Sequence, residues 1–436
     1  MACYLQAKKL CGTVSLNGDK SISHRALILS LLARGRSTIK NLNKGHDVMH
    51  TVQAIRALGA NVIFDKEKDI TIVDGAGLGC LLQPAAPIYL GNSGTAARLL
   101  IGAIAPYNIT TEITGDESLQ SRPMDRIITP LKLMGAQFSP TNQLPLILLG
   151  NPEPIPIEWD LTIASAQVKS ALLLAALSIS GDNIIREYVQ SRDHTERMLP
   201  LFGADFTSSQ KSNHIALNIV GNKTLHHTEL AVIGDFSSAS FLMAAALLVP
   251  DSYIELKNIG INPTRTGFLT CLQEMGADIE LLNKREISSE PVCDIKIRHS
   301  QLKGIVVPAS RAALMIDEYP IISVLAAFAQ GETILHGIEE LKIKESNRLV
   351  AIAEALQLNN VVCEIKNNSL KITGTSPIHM GNTTVNSRQD HRIAMSFLIM
   401  GLASANPIYI DDISSIATSF PEFFRLLATL GAEIYG

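Results

Sequence analysis

The chain has 436 residues, enough for about three average domains. Hydrophobic residues make up 46% of it and charged residues only 18%, which favours a large buried core. The 37 basic and 41 acidic residues give a net charge of −4 with no basic or acidic tail. This balance argues against a protein that binds nucleic acid or a membrane surface.

The N-terminal segment and the cysteines both indicate a cytoplasmic protein. Residues 1–12 contain no apolar stretch of signal-peptide length, and the longest apolar run, residues 241–250, is too short to span a bilayer. The six cysteines are scattered without a CxxC pair, which predicts reduced thiols rather than disulfides or a zinc site. We therefore expect a cytoplasmic protein without a metal or another cofactor.

A helix end followed by a strand recurs along the chain. Its copies read ALGANV (57–62), LMGAQF (133–138), LFGADF (201–206), EMGADI (274–279) and TLGAEI (429–434), with a degraded copy, ALQLNNVV, at 355–362. We expect a left-handed helix cap at the glycine of each copy, and at Gln357 in the degraded one. The spacing of roughly 73 residues predicts six copies of one structural unit.

Each copy also carries a short helix rich in alanine and leucine. These helices read HRALILSLLA, TAARLLIGAIA, QVKSALLLAAL, SASFLMAAALL, PIISVLAAFA and HRIAMSFLIMGLA. They are apolar around most of their circumference, which is typical of helices inside a core, whereas the strand-forming segments alternate more. We therefore predict helices inside and sheets outside, in two bodies of three units each.

The last copy, TLGAEI, ends the chain without the further strands that follow the earlier copies. Residues 4–16 are the obvious donor of the missing strand. We therefore predict one domain from residues 1–18 and 233–436 and a second domain from residues 19–232. The chain would cross between them near 17–20 and again near 230–234, which would form a hinge.

The segments that open the six apolar helices combine capping residues with cations. They read GDKSISHR (18–25), GNSGTAAR (91–98), ASAQVKS (164–170), GDFSSAS (234–240), MIDEYP (315–320) and SRQDHR (387–392). Six well-capped helices are the simplest explanation. Capping does not account for Lys20, Arg25, Arg98 or Arg392, because a cation at the positive end of a helix is unfavourable without an anion. We expect anion sites at GDKSISHR and GNSGTAAR, and only a cap at GDFSSAS.

Two further segments, SRPMDR (121–126) and KIKESNR (342–348), supply more cations. Arg122 precedes a proline, so it should lie in an extended or turn segment. Lys344 and Arg348 are four residues apart and should share a helix face, with Glu345 beside them. A solvated amphipathic helix is the alternative interpretation of this second segment.

Asp193, His194 and Glu196 are spaced like an acid–base cluster. They stand just before the apolar residue Met198, however, and polar residues in that position are typical of a helix start. We therefore interpret them as structural rather than catalytic.

Eight of these segments together resemble the 5-enolpyruvylshikimate-3-phosphate synthase family of enolpyruvyl transferases. In that family's order they are GDKSISHRALIL, LGNSGTAARLL, GDESLQSRPMDRI, SAQVKSALLLA, SRDHTERML, IDEYP, KESNRL and QDHRIAM, and they cover the chain from end to end. The resemblance implies an α/β fold, the two-domain inside-out α/β barrel of the enolpyruvyl transferase type. Each domain would contain three repeated βαβαββ-like units.

The resemblance also implies a reaction of the shikimate pathway of aromatic amino acid and chorismate biosynthesis. The enolpyruvyl group of phosphoenolpyruvate would move to the 5-hydroxyl of shikimate 3-phosphate by addition and elimination in an interdomain cleft, and phosphate would be released. We expect a monomer whose partners are these two small molecules, without nucleic acid or membrane.

The motifs imply contacts to the two substrates, and two of the residues are implied for both. Those implied for shikimate 3-phosphate are Lys20, Ser21, Arg25, Ser165, Ala166, Gln167, Ser191, Arg192, Asp317 and Lys344. Those implied for phosphoenolpyruvate are Lys20, Asn92, Gly94, Arg122, Gln167, Arg348 and Arg392. The implied catalytic residues are Lys20, Asp317 and Glu345. Asp317 would take the hydroxyl proton, and Glu345 would protonate the methylene carbon if burial or a bound anion raised its pKa.

Two other classes of protein share some of these features. The UDP-N-acetylglucosamine enolpyruvyl transferases carry a reactive cysteine on a flexible loop, whereas residues 112–126 contain no cysteine. A noncatalytic anion-binding or sensor protein should keep the cations and lose the carboxylates, yet Asp317 and Glu345 are both present. The sequence therefore favours the shikimate enzyme over both.

Overall fold

The computed structural model describes residues 3–375 and 380–436. In this part of the chain the α-helices are α1 Lys20–Leu32, α2 His46–Ala57, α3 Gly94–Ile104, α4 Glu117–Gln120, α5 Asp125–Leu133, α6 Ala166–Ala176, α7 His194–Met198, α8 Phe236–Leu248, α9 Gly267–Glu274, α10 Ala312–Met315, α11 Tyr319–Phe328, α12 Arg348–Leu358, α13 His391–Ala403 and α14 Phe423–Leu430. Across these residues, no helix combines the length and the apolar character needed to cross a membrane.

The strands of the same residues are β1 Tyr4–Gln6, β2 Cys11–Ser15, β3 Gly35–Lys40, β4 Asn61–Asp65, β5 Ile70–Gly75, β6 Ile88–Tyr89, β7 Thr110–Thr114, β8 Gln137–Phe138, β9 Leu146–Leu149, β10 Glu158–Leu161, β11 Asp182–Glu187, β12 Asp205–Gln210, β13 Ile215–Val220, β14 Glu229–Ala231, β15 Tyr253–Gly260, β16 Asp278–Ile287, β17 Glu290–Arg298, β18 Val306–Val307, β19 Glu332–Leu335, β20 Cys363–Lys366, β21 Ser369–Thr373, β22 Thr383–Val385, β23 Ile408–Ile410 and β24 Glu433–Tyr435. They form small mixed sheets.

The chain divides into two compact units. The N-terminal unit consists of Gly18–Val232 and Ile287–Glu290. The C-terminal unit consists of Met1–Asn17, Ile233–Glu286 and Pro291–Gly436. The tip of the β16–β17 hairpin thus belongs to the N-terminal unit, which nothing in the sequence indicates.

The sheets of the N-terminal unit repeat one pattern. Their strand orders are β14-β3-β5-β4, β6-β7-β9-β8 and β10-β11-β13-β12. In each sheet the first two strands are parallel and the other neighbours are antiparallel. In the second and third sheets a helix, α3 or α6, connects the two parallel strands, as a crossover between parallel strands requires. The repeat seen in the sequence is therefore a repeat of structure.

The C-terminal unit has the same pattern, and its first residues take part in it. Strand β2 pairs in parallel with β15 in the sheet β2-β15-β17-β16, and β18-β19-β21-β20 forms the next sheet. In the third, β22 pairs with β23, Cys3 forms a bridge to Ile410 in β23, and β1 pairs with β24. Residues 4–16, which the repeat pattern indicates as a strand donor, thus pair with two of these sheets.

The apolar helices form the interior of each unit. Every residue of α8 is buried, and so are 12 of the 13 residues of α13. In the C-terminal unit α8, α11 and α13 pack on one another, and in the N-terminal unit α3 packs on α1 and α6. Gly102 allows the close approach of α3 to α6, because a Cβ there would lie 2.2 Å from the carbonyl oxygen of Ala171. Helices that are apolar on all sides require this buried position.

All six repeat copies end their helix in the same way. Five have a glycine in the left-handed conformation, at Gly59, Gly135, Gly203, Gly276 and Gly431. In the degraded copy the left-handed residue is Asn360, with φ 59°, so the position predicted at Gln357 was wrong by three residues. Helix α12 continues to Leu358, and asparagine tolerates the left-handed conformation better than most residues.

Candidate active site

Helix α1 begins with the first predicted cation, Lys20. The carboxylate of Asp19 caps this helix by accepting the N–H of Ile22 at 2.9 Å. The ammonium nitrogen of Lys20 lies 2.9 Å from a carboxylate oxygen of Asp47 on α2. Asp47 is buried, and the Lys20 side chain is 15% exposed. The ion pair therefore holds the ammonium group at the start of α1.

Arg25 lies one turn further along α1 and is 2% exposed. Its guanidinium donates to the carbonyl oxygen of Ser21 at 2.9 Å and to the hydroxyls of Thr195 and Ser170, both at 2.7 Å. Burial lowers the pKa of Arg25 to about 10, and the nearby charge of Arg192 also lowers it. A bound anion would oppose both effects, so this guanidinium suits an anionic ligand.

Helix α3 begins at the second predicted anion site. Ser93 caps it by accepting the N–H of Ala96 at 3.1 Å. Gly94 follows, and a Cβ at this position would lie 2.8 Å from Nη1 of Arg98 and 3.1 Å from Nη1 of Arg122. Glycine thus leaves the helix start open between two guanidinium groups, which is an arrangement suited to a phosphate or a carboxylate.

Arg122 follows α4 in a turn segment, as its position before a proline predicts. Its Nη2 donates to the side-chain oxygen of Asn92 at 2.5 Å and to the hydroxyl of Ser118 at 3.1 Å. The amide nitrogen of Asn92 donates in turn to Asp116 at 2.9 Å. The buried Nε of Arg122 has no hydrogen-bond partner among the described residues.

Helix α6 begins at the third cap. Ser165 accepts the N–H of Val168 at 3.4 Å, and Ala166 is the first residue of the helix. Gln167 connects α6 to α3, because its side-chain oxygen accepts from Arg98 at 2.8 Å and its amide donates to Thr95 at 3.0 Å. The structure thus assigns Arg98 a role in orienting Gln167, which the motif comparison did not include.

The sequence interpretation of residues 193–196 as a helix start is confirmed, since α7 begins at His194. Two of these side chains are also buried and paired. His194 lies 2.7 Å from Glu290, and Glu196 lies 2.7 Å from the ammonium nitrogen of Lys169. Sequence patterns did not reveal these pairs, because their partners lie 96 and 27 residues away along the chain.

In the C-terminal unit, the predicted residues Asp317 and Glu345 contact Arg348, which is fully buried. Its guanidinium lies 2.5 Å from Glu345, 3.3 Å from Asp317 and 2.8 Å from Asp390. Arg392 donates to the backbone oxygen of Asp317 at 3.3 Å, and its Nε is 3.7 Å from the carboxylate. Both predicted catalytic carboxylates therefore contact one guanidinium group.

The segment before α12 differs from its prediction. A 3₁₀ helix covers Glu339–Ile343, Lys344 is extended, and Asn347 caps α12 by accepting the N–H of Val350. Helix α12 itself begins at Arg348. The prediction that Lys344 and Arg348 share a helix face was therefore wrong, because asparagine favours a cap over a helix interior. Lys344 is half-buried.

Helix α8 has the cap predicted for GDFSSAS. Asp235 accepts the N–H groups of Ser237 and Ser238 at 2.7 and 3.1 Å. The cation that this segment lacks comes from Arg265, whose Nη2 lies 2.5 Å from the Ser237 hydroxyl. That hydroxyl donates to Glu318, which is also buried. The cap therefore belongs to a buried charged cluster of its own.

No group of three or more His, Cys, Asp or Glu side chains that could hold a metal ion occurs in residues 3–375 and 380–436. The predicted residues of the N-terminal unit are cations, amides and helix starts. Those of the C-terminal unit add carboxylates to cations. Cations and helix starts suit anion binding, and carboxylates suit proton transfer.

Comparison with solved structures defines the class of protein. The chain superimposes on "EPSP Synthase from acinetobacter baumannii" with a TM-score of 0.87 and 37% identity, covering 100% of both chains. It superimposes on "the enolpyruvyl transferase NikO from Streptomyces tendae" with a TM-score of 0.77 and 16% identity, covering 100% of this chain and 98% of the other. The second similarity concerns the fold alone, which is that of an enolpyruvyl transferase.

Sequence comparison then gives the family. The sequence model of EPSP synthase (3-phosphoshikimate 1-carboxyvinyltransferase) matches residues 5–427. The 3-phosphoshikimate 1-carboxyvinyltransferase of Chelativorans sp. (strain BNC1) is 48% identical over 436 residues, covering 98% of this chain and 96% of the relative. The enzyme of the same name from Brucella canis is 47% identical over 432 residues, with the same coverage. The chain belongs to the EPSP synthase family.

Proposed function

We propose that the chain transfers the enolpyruvyl group of phosphoenolpyruvate to the 5-hydroxyl of shikimate 3-phosphate. The products are 5-enolpyruvylshikimate 3-phosphate and phosphate, in the shikimate pathway. The observation that carries the proposal is the contact of one buried guanidinium, that of Arg348, with both Asp317 and Glu345. Two carboxylates beside cations provide a proton acceptor and a proton donor near an anionic substrate.

The binding of shikimate 3-phosphate is assigned mainly to the N-terminal unit. The start of α6 offers its phosphate the Ser165 hydroxyl and backbone N–H groups, to which Ala166 contributes only its backbone. Arg25 and Arg192 supply positive charge. From the C-terminal unit, Asp317 and Lys344 face the ring hydroxyls.

Phosphoenolpyruvate binds to cations of both units. From the N-terminal unit the residues are Lys20, Asn92, Gly94, Arg122 and Gln167. From the C-terminal unit they are Arg348 and Arg392. Residues of both units take part in the reaction, and each unit is by itself an inside-out α/β barrel.

The first step is an addition. Asp317 accepts the proton of the 5-hydroxyl as its oxygen bonds to C2 of phosphoenolpyruvate, and Glu345 supplies a proton to C3. The vinyl carbon becomes a methyl group and C2 becomes tetrahedral. Arg348 normally favours the ionised form of Glu345, so an anionic group of phosphoenolpyruvate that competes for Arg348 would favour its protonation.

The second step is an elimination. The methyl group returns a proton to the Glu345 carboxylate, the C2–C3 double bond re-forms, and the bond from C2 to the phosphate oxygen breaks with its electron pair leaving on the phosphate. Lys20 and Arg122 stabilise the negative charge that accumulates on the leaving phosphate. No bond to the protein forms in either step.

The test is phosphate release from phosphoenolpyruvate by the purified protein. We expect release that requires shikimate 3-phosphate, and a product that carries the enolpyruvyl ether. UDP-N-acetylglucosamine in place of shikimate 3-phosphate should give no release. Release with only that nucleotide sugar, or none above the uncatalysed background with either acceptor, would overturn the proposal.

A further inference from the structure

A buried charged cluster lies next to the predicted phosphate-binding residues of the N-terminal unit. Lys169 on α6 is fully buried, and its ammonium nitrogen lies 2.9 Å from Glu187 at the end of β11 and 2.7 Å from Glu196 on α7. Moving one cation and two carboxylates out of water is costly, so such a cluster requires well-matched geometry. None of these three residues takes part in the proposed reaction.

Lys169 is also a departure from the internal repeat. It is the fourth residue of its buried helix, and the fourth residues of the other five are Ser23, Ala97, Ala239, Ile322 and Ala394. A lysine is therefore not needed to build a buried helix of this fold. The reason for a lysine in α6 must therefore lie in the groups that surround this helix.

The first such feature is the turn that follows β11. Glu187 accepts the backbone N–H of Ser191 at 3.0 Å and its hydroxyl at 2.5 Å. Lys169 donates to the backbone oxygen of the same residue at 3.3 Å. Three hydrogen bonds thus fix Ser191, and they thereby fix the backbone position of the next residue, Arg192. The Ser191 side chain is buried and its hydroxyl donates to Glu187, so it holds the turn in place.

The second feature is the support of Arg25. Ser170 and Thr195 are the neighbours of Lys169 and Glu196 along the chain, and their hydroxyls lie 2.7 Å apart. Both hydroxyls accept from the Arg25 guanidinium. The Lys169–Glu196 ion pair and the Ser170–Thr195 hydrogen bond therefore join α6 to α7 at two adjacent points and hold this guanidinium between them.

We infer that Lys169 is a positioning residue for the phosphate of shikimate 3-phosphate. Through Glu187 it places Ser191 and Arg192, and through Glu196 it places Thr195 and Arg25. The inference rests on the proposed function, because it takes the start of α6, Arg25 and Arg192 as the groups that bind that phosphate. Lys169 itself does not touch the substrate.

The variant Lys169→Met tests this directly, since it keeps most of the side-chain volume and removes the charge. We expect the KM for shikimate 3-phosphate to rise about tenfold to a hundredfold, because small displacements of positioning groups have effects of that size. The KM for phosphoenolpyruvate at saturating shikimate 3-phosphate should stay within roughly twofold of the parent value. Lys169→Arg, which keeps the charge, should recover part of the loss.

The acceptor shikimate, which lacks the phosphate, separates positioning from general damage. Turnover with shikimate should be the same for Lys169→Met and the parent, since no phosphate needs to be placed. An equal loss with both acceptors would show a merely structural role and would overturn the inference. Lys68→Met, in an exposed turn of the same unit, is the matched control and should behave as the parent.

Glu187→Gln provides the test if Lys169→Met does not fold. It leaves Lys169 paired with Glu196 and keeps an oxygen for Ser191, so it perturbs the cluster less. We expect a smaller but selective rise in the KM for shikimate 3-phosphate, and an unchanged KM would contradict the inference. A parent protein without phosphate release would instead contradict the proposed function, so the two failures are distinguishable.

Discussion

At the scale of single residues, the predicted residues of the C-terminal unit are held by arginines that each contact more than one group. Arg348 contacts Asp317, Glu345 and Asp390, and Arg392 contacts Asp317 as well. Asp390 is itself fully buried and caps α13. Asp390 is therefore a structural partner of Arg348, whereas Asp317 and Glu345, to which we assign the proton transfers, are both partly exposed.

The variant Asp317→Ala should remove the proton acceptor. We expect kcat to fall about 10²- to 10⁴-fold, the usual contribution of a general base. The KM of each substrate should stay within roughly tenfold, because the other contacts remain. Steady-state kinetics measure both. Asp278→Ala, at an exposed strand end of the same unit, serves as the control, and near-parental turnover of Asp317→Ala would contradict the assignment.

The ammonium group of Lys344 predicts a pH dependence. Burial lowers the pKa of Lys344, and the charge of Arg348 also lowers it, while Asp317 and Glu345 oppose this. The group therefore loses its proton at a lower pH than an ordinary lysine, and binding that needs the charge is lost as the pH rises through that value. The alkaline limb of kcat/KM for shikimate 3-phosphate should move to higher pH in Lys344→Arg. Superimposable pH profiles would exclude this role.

At the scale of elements, the six helix ends show how one local motif is used repeatedly. In each copy the residue after the left-handed position donates its N–H to the carbonyl five residues earlier, as Ala60 does to Ile55 and Val361 to Leu356. Such a bond satisfies a carbonyl that the helix leaves unpaired. The motif also turns the chain toward the next strand, so its repetition fixes the repeated helix–strand geometry.

The variant Gly276→Ala measures the free-energy cost of the left-handed conformation for a residue that has a Cβ. Gly276 has φ 87°, and a Cβ there would meet nothing within 4 Å, so the cost is one of backbone conformation alone. We expect a loss of about 1–2 kcal/mol in the free energy of unfolding, measured by denaturant titration. Asn360→Gly, in the degraded copy, should cause no such loss. A loss in the second variant and not in the first would refute this explanation of the repeat.

At the scale of the whole molecule, the predicted residues are divided between two compact units. Lys20, Arg25, Arg122 and their neighbours belong to the N-terminal unit, whereas Asp317 and Arg348 belong to the C-terminal unit. If both sets bind the same two substrates, substrate binding must couple the units. We expect mutual repulsion among the cations that an anionic substrate would relieve.

Small-angle X-ray scattering tests that coupling. We expect the radius of gyration to fall when shikimate 3-phosphate is added, because its phosphate neutralises cations that otherwise repel. Shikimate at the same concentration should produce a smaller change, since it lacks the phosphate. A radius that stays the same with shikimate 3-phosphate would rule out closure driven by the first substrate.

Much of this architecture is encoded locally and could be predicted from the sequence. The six repeats, the buried helices and the caps at Asp19, Ser93 and Ser165 each depend on residues within a few positions of one another. Hydrophobic periodicity and capping act over that range. The motifs at the helix starts were likewise enough to indicate an anion site, because the cation and the helix terminus are neighbours in sequence.

The partners of the charged residues were decided only by the tertiary structure. Lys20 pairs with Asp47 and Arg348 with Asp390, across 27 and 42 residues respectively. The sequence placed Lys344 and Arg348 on one helix, whereas the cap at Asn347 separates them. Such pairings depend on how buried helices and turns pack, since a buried charge is stable only where packing supplies its partner. The sequence by itself thus determined the repeated unit and the helix starts to which we assign anion binding, and the packing of those units determined which side chains hold each charge in place.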